Sequence, residues 1–217
     1  GNSHPIKLEI GFGMGDFLIE MATREPQSNF VGIDFSQDGI RKLMTRIKDL
    51  NLNNIRVVYG DVREKIQVLF HDDELDTVYI NLPDPWPRKR HFKRRLVKPG
   101  LVKLMARKLA PKGHVHLSTD SEPYAREMLE YFNAEPLLQN KNQQSSIMES
   151  RYYFPKTKYE KSFIYAGDKI HYLEYFRLST DRQIENEVSL VKEVTIKVKE
   201  IEEQTVTNNE RLIKNFQ

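Results

Sequence analysis

Three features of the 217-residue sequence predict an α/β protein built on a doubly wound, mostly parallel sheet. Strand-like and helix-like segments alternate five times, which implies crossover connections with helices on both faces. The first strand runs directly into a glycine-rich loop that opens a helix. Acidic, amide and glycine positions then recur where the strands end, and in such sheets ligands bind at the carboxyl ends of the strands.

Residues 6–10 (IKLEI) form the first apolar strand; Gly11, Gly13 and Gly15 follow, and Asp16 opens a helix with Phe17, Leu18, Met21 and Ala22 on one face. NFVGIDF (29–35) is the second strand, and Ser36 caps a helix whose Ile40, Leu43, Met44 and Ile47 fall at i, i+3, i+4, i+7. NIRVVYGD (54–61) and LDTVYINLP (75–83) are the third and fourth strands, the latter delivering Asn81 to its carboxyl end. Pro99 and Gly100 precede an amphipathic helix that Pro111, Lys112 and Gly113 stop. HVHLSTD (114–120) is the fifth strand, and Ser121 caps EPYAREMLEYF with Pro123 in its first turn. Residues 139–150 are polar and read as a loop; KSFIYAG (161–167) and DKIHYLEYFRL (168–178) read as closing strands. One main domain (1–180) is expected, with a C-terminal extension (181–217) in which Val194, Ile196 and Val198 alternate as in a short strand.

Composition narrows the function classes. No apolar run approaches the roughly 20 residues of a membrane span, and no signal-peptide pattern is present, so a soluble, cytoplasmic protein with no membrane partner is expected. Zero cysteines exclude disulfides, thiolate metal sites, iron–sulfur clusters and cysteine nucleophiles. His114-x-His116 reads as strand alternation, and no metal is expected. The net charge is only +3, but residues 181–217 hold six basic and eight acidic residues, which leaves +5 for residues 1–180. Within them Arg88, Lys89, Arg90, Lys93, Arg94, Arg95 and Lys98 are seven cations in eleven positions with no acid between, a candidate phosphate-binding face. The sequence does not choose between a monomer and a homodimer.

The glycine loop spells G-x-G-x-G and carries Asp16 where a dinucleotide fingerprint has its third glycine. An acid there sits badly beside a pyrophosphate at a helix N-terminus. The loop suits an adenosine-bearing ligand without phosphates, such as S-adenosylmethionine. Glu9 places a carboxylate where that ligand's positive groups lie, Asp34 is set to accept from ribose hydroxyls, and Asp61 from the adenine amino group.

Asn81-Leu82-Pro83-Asp84-Pro85-Trp86-Pro87 has three prolines in five residues, which stiffen the backbone around Asp84; Trp86, the only tryptophan, offers a flat face for a base or a plug for the core. The strings LEIGFGMGDF, NLPDPWPRKRHFKRRL, LSTD and KTKYE occur in the order and spacing of the tRNA (guanine-N7)-methyltransferase family, which the chain resembles over residues 7–178. The resemblance implies a Rossmann-like class I methyltransferase sheet with an antiparallel closing strand. It also implies methyl transfer from S-adenosylmethionine to N7 of guanine 46 in the variable loop of tRNA, with S-adenosylhomocysteine as product. By resemblance Glu9, Asp34, Asp61 and Asp84 line the cofactor and catalytic site, beside Asn81, while Arg88, Asp120, Thr157, Lys158, Tyr159 and Glu160 hold the substrate. The family usually carries Glu at 34 and Lys at 88; both exchanges keep the charge and change its reach.

Guanine N7 has a free lone pair and no proton, so its methylation requires no general base, and its product is a cationic base. Asp84 is the candidate catalytic residue: it is expected to hold the N1 and N2 donors of guanine and to stabilise the developing charge. Arg90, His91, Lys93, Arg94 and Arg95 are expected to hold the phosphate backbone beside it. Absence of cysteine argues against methylation of a pyrimidine ring carbon. Amino-group methylation is the nearest enzymatic rival. A non-catalytic RNA-binding module would have no use for Glu9 or the glycine loop.

Overall fold

The computed structural model describes residues 2–142, 147–151 and 153–179. Five strands alternate with five helices, four of the helices where the sequence marks them: β1 (Ile6–Ile10), α1 (Asp16–Arg24), β2 (Asn29–Asp34), α2 (Gln37–Asp49), β3 (Ile55–Tyr59), α3 (Val62–Leu69), β4 (Leu75–Asn81), α4 (Pro99–Lys108), β5 (Leu109–Thr119) and α5 (Glu122–Asn133). A 3-10 segment (Lys89–Arg94) precedes α4, and β6 (Leu138–Asn140), α6 (Lys158–Tyr165) and β7 (His171–Arg177) complete the described fold. The seven strands lie in the order β3-β2-β1-β4-β5-β7-β6. The first five are parallel, and β7 runs antiparallel to both β5 and β6.

Strand alternation divides the core. Leu8, Ile10, Val78, Ile80, Val115 and Leu117 pack on the face covered by α3, α4 and α5. On the opposite face Phe17, Leu18 and Met21 of α1 and Leu43 of α2 close over Phe30 and Tyr79. Helices on both faces force the parallel strands to be apolar nearly throughout, as β4 shows, buried at every residue but Asp76.

Local signals account for most boundaries. Ser36 accepts from the backbone N–H of Gly39 at 3.0 Å and caps α2. Ser121 is the N-cap of α5 but makes no side-chain capping bond; Pro123 in the first turn fixes the entry instead. No helix among the described residues is long and apolar enough to cross a membrane.

Four expectations need correction. Helix α3 was not foreseen: it is eight residues long, and only Val62 and Ile66, one turn apart, are buried, too few for a period to show. Residues 161–167 are not a closing strand but the end of α6 and the turn after it, and the start of α6 is fixed by a capping box between Thr157 and Glu160. The polar stretch 139–150 is not all loop, since β6 extends to Asn140 and Met148 bridges to Tyr172. Pro111, Lys112 and Gly113 interrupt a strand rather than stop a helix: α4 ends at Lys108, Leu109 pairs with Leu75, and pairing resumes with His114 opposite Thr77. Proline cannot donate to the ladder, so the chain bulges out there. The extension 181–217, with Val194, Ile196 and Val198, lies outside the described residues.

Candidate active site

The carboxyl ends of β1, β2, β3 and β4 converge on two adjoining cavities. The larger, of about 460 Å³, is bordered by Asp34, Asp61, Asp84, Trp86 and Arg94; the smaller, of about 280 Å³, by Glu9, Asp16, Lys42, Thr157, Lys158 and Tyr159. Gly11, Gly13, Asn81 and Leu82 line both, so the cavities meet at the glycine loop and the end of β4.

Left-handed backbone at Gly11 (φ 73°), Gly13 (57°) and Gly15 (75°) folds that loop. A Cβ on Gly11 or Gly13 would meet nothing within 4 Å, whereas one on Gly15 would lie 2.5 Å from Leu43 Cδ1. The first two glycines leave free space along the cleft, and the third allows α1 to pack on α2. Asp34, at the end of β2, accepts from the N–H of Gly13 through Oδ2 and from that of Ser36 through Oδ1, each at 2.8 Å. A carboxylate has about four acceptor directions. The two bonds fix Asp34 and leave the other half of its capacity for the cavity.

Asp61 differs from its expected role as a free acceptor for an adenine amino group. It caps α3 by accepting from the N–H of Arg63 at 2.9 Å, and both its oxygens also accept from Arg63 Nε at 2.9 Å. The hydrogen bonds from Arg63 hold its carboxyl below the usual value. It stands on the cavity wall already partnered.

Glu9 points from β1 into the interior and is 2% exposed. Its Oε1 accepts from Asn81 Nδ2 at 3.0 Å; Oε2 is buried with no donor. Burial pushes its pKa up from 4.5 to about 7, with the charges of Asp34 and Asp16 adding and the Asn81 bond and Arg151 opposing. Asn81 in turn accepts from Arg151 Nη2 at 2.8 Å. The same nitrogen lies 3.4 Å from Glu160 Oε2, and Glu160 Oε1 accepts from Tyr172 at 2.6 Å. A continuous polar chain thus joins Glu9 on β1 to the start of α6.

Arg151 is the member that sequence reasoning missed. Its guanidinium, 5.2 to 5.7 Å from the rings of Tyr172, Phe154 and Phe17, keeps Nε and Nη1 buried without partners. Nothing local in MESRYYFP marks it; its partners are 9 and 70 residues away in the chain. Glu160 also corrects an expectation. It is fully buried, its oxygens accept from Tyr172, Arg151 and the N–H of Thr157, and it is not available to hold a substrate. Thr157, Lys158 and Tyr159 line the smaller cavity, together with Glu9 and the glycine loop. Asp120, at the end of β5 and half-buried, lines neither cavity.

The proline-rich loop is held in an unusual backbone: Leu82 (φ 49°) and Trp86 (φ 43°) both adopt left-handed angles, each immediately before a proline. Such conformations cost on the order of 1 to 3 kcal/mol each and persist only where surroundings enforce them. Arg95 provides the enforcement. It is 2% exposed, donates from Nε to the carbonyl of Pro85 at 2.8 Å, pairs with Glu127 of α5, and lies 3.7 Å over the Phe92 ring. The expectation that Arg95 grips phosphate is therefore corrected: it anchors the loop from inside. Asp84, by contrast, is exposed and faces the larger cavity. Trp86 is half-buried, with His91 edge-on at 5.7 Å and the Arg94 guanidinium 4.9 Å from its ring. Its environment favours a stacking surface over a core plug. Arg88, Lys89, Arg90 and Lys93 are exposed and have no acidic partner among the described residues, which leaves them free for anions.

His114 and His116 project from one face of β5 toward Glu174, with Nδ1 atoms 3.9 and 3.7 Å from Glu174 Oε1. Lys141 Nζ lies 2.6 Å from the same oxygen, so a lysine already supplies that carboxylate's counter-charge. Burial pushes both imidazoles below their usual pKa, His116 furthest.

A family model described as "Putative methyltransferase" matches residues 3–173. The chain is 43% identical over 168 residues to the tRNA (guanine-N(7)-)-methyltransferase of Cupriavidus necator, covering 77% of this chain and 64% of that protein. It is 40% identical over 177 residues to the protein of the same name from Acidovorax sp., covering 82% and 70%. It thus spans about two thirds of the length of these curated relatives. The crystal structure of a SAM dependent methyltransferase from Aquifex aeolicus superposes with a TM-score of 0.56 at 12% identity, over 80% of this chain and 82% of that one; this likeness concerns the fold alone.

Proposed function

From the premise that this chain belongs to the tRNA (guanine-N7)-methyltransferase family, we propose that it transfers a methyl group from S-adenosylmethionine to N7 of guanine 46 in the variable loop of tRNA. S-adenosylhomocysteine is the second product, and a cytoplasmic location goes with tRNA as substrate. The observation that carries this reading is the junction of two cavities at the glycine loop, one bordered by Glu9 and the other by Asp34, Asp84 and Trp86. Two further observations fit the cofactor: the donor-free, buried Oε2 of Glu9, and the open space beside Gly11 and Gly13.

When bound, S-adenosylmethionine supplies an electrophilic methyl on a positively charged sulfur. Asp34 uses its remaining acceptor directions for ribose hydroxyls, and Glu9 accepts from the positive amino group. Asp84 and Trp86 border the larger cavity, which would hold the guanine beside the bound cofactor. Trp86 stacks on the base, while Asp84 accepts from the N1 and N2 protons of guanine and so turns N7 toward the methyl. Because the ring becomes cationic as the bond forms, the fixed carboxylate acts most strongly in the transition state. No residue has to remove a proton from N7.

The test is to incubate the protein with methyl-labelled S-adenosylmethionine and bulk tRNA, digest the tRNA, and identify the labelled nucleoside. 7-Methylguanosine is expected, at position 46 when the site is mapped. Label on an exocyclic amino group would overturn the reading.

A further inference from the structure

We propose that the groove between α1 and α6, walled by Lys156, Lys158 and Lys161, is a second RNA-binding surface that holds the tRNA phosphate backbone beyond the glycine loop from the cation run 88–94. The groove has a volume of about 680 Å³ and is lined also by Arg24, Arg46, Asp16 and Glu20. Both acids are ion-paired, Asp16 with Arg46 at 2.7 Å and Glu20 with Arg24. The three lysines are exposed, fall within six positions of the chain, and have no acidic partner among the described residues. Some helical cations elsewhere are matched to acids one turn away, as Arg41 is to Asp38 and Arg126 to Glu122; what sets these three lysines apart is that all of them line one groove. Unmatched lysines along a concave wall give a positive potential suited to a polyanion.

The groove is continuous with the site. Lys158 and Asp16 line both it and the smaller cavity, which meets the larger cavity at Gly11, Gly13, Asn81 and Leu82; Arg94 borders the larger one alone. A nucleobase drawn into those cavities has chain leaving it in two directions. Extruding a base costs a few kcal/mol, which flanking backbone contacts must offset. The run 88–94 supplies cations beside the larger cavity, and the lysine groove supplies them beside the smaller one. Tyr159, 60% exposed and lining the smaller cavity, adds an aromatic face between the two.

The inference rests on the proposed function for the identity of the polyanion, and its test separates the two. Lys156→Gln/Lys161→Gln is made in the full chain, with Lys158 kept because it also borders the cofactor cavity. Filter binding of tRNA across a salt series should show a slope of log K against log[salt] shallower by about 1.4 to 1.8, and roughly 10- to 30-fold weaker binding near 0.15 M salt. S-adenosylmethionine affinity and melting temperature should match wild type, and Lys156→Arg/Lys161→Arg should bind tRNA like wild type. Methylation by the glutamine variant should show a raised KM for tRNA with an unchanged rate at saturation. A wild-type salt slope in the glutamine variant overturns the inference even if wild type forms 7-methylguanosine. Failure of wild type to form it, with the slope change present, overturns the functional reading and leaves the groove a polyanion site.

Discussion

Replacing Glu9 by glutamine should stabilise the cofactor-free protein at neutral and alkaline pH while weakening its hold on the cofactor. In the folded chain the Glu9 carboxyl titrates near 7 because it is buried, against 4.5 for the free side chain. Between those values the unfolded chain gives up the proton and the folded chain keeps it, so folded-state stability falls as pH rises from about 4.5 to about 7 and is level above. The rise from 4.5 to about 7 corresponds to about 3 kcal/mol. Glutamine has no such titration: its oxygen can still accept from Asn81, and its amide replaces the oxygen that has no donor. For a protein of this size the gain is about 6 to 12 °C in melting temperature at pH 8, shrinking to a third or less at pH 5. Thermal unfolding of both proteins at the two pH values measures it. A glutamine variant no more stable than wild type at pH 8, or a gap that does not change with pH, would refute the reasoning. Cofactor binding supplies the complementary readout. A cation beside Glu9 favours its charged form, so at pH 6.5 binding to wild type should release a proton, visible in calorimetry as a heat that depends on the buffer. Binding to the variant should be weaker and release none.

Asp84→Asn should lower the single-turnover rate about 10²- to 10³-fold with little change in tRNA affinity, the usual loss for one preorganised electrostatic group. At saturating cofactor the wild-type rate should be flat between about pH 6 and pH 8, since N7 has no proton to lose; a wild-type-like rate for the variant would remove Asp84 from catalysis. Arg95→Met and Arg94→Met should separate two neighbouring cations of one run. Urea denaturation should show the former less stable by about 3 kcal/mol, because Glu127 and the Pro85 carbonyl lose a buried partner, and the latter nearly unchanged but weaker in tRNA binding. Equal stability of the two variants would contradict the anchoring role of Arg95.

What the sequence disclosed, and what it hid, follows from the range of the interactions. The strand–glycine–helix opening, the Ser36 cap and the five parallel strands are local patterns, and each appears in the structure where the pattern falls, whereas α3 carries too few buried residues to show one. The stretch 156–160 was ambiguous for the same reason. Its capping box is local and legible, but the helix it starts has a single buried residue, Glu160, so no apolar period distinguishes it from a strand. Charge was legible only as a sum. Seven cations between 88 and 98 read as one surface, yet Arg95 turns inward to Glu127, 32 residues away, a contact no local pattern announces. Arg151 is the extreme case, since all its polar partners are distant and its own neighbours carry no motif.

Those long-range contacts also resolve an electrostatic conflict inherent in the proposed chemistry. The cofactor is positive and requires acids near it, while the tRNA is negative and is repelled by them. The structure separates the two in depth. Glu9 lies beneath the glycine loop and, without a cationic ligand, is about half protonated near pH 7. Asp34 is covered by two backbone N–H groups, and Asp61 and Asp16 are each paired with an arginine. Of the carboxylates around the cavities, Asp84 alone is exposed without a described ion-pair partner, and it is the one the proposal aims at the base. The cations divide in the opposite sense: Arg95 and Arg151 are internal and face carboxylates, while Arg88, Lys89, Arg90, Lys93 and the lysines of α6 face solvent. With a Debye length of about 8 Å at physiological salt, charges so arranged act mainly on the ligand nearest them. Near pH 7, Glu9 then gains negative charge as the cofactor cation binds beside it, so cofactor binding completes the site without adding a net charge that would oppose the tRNA.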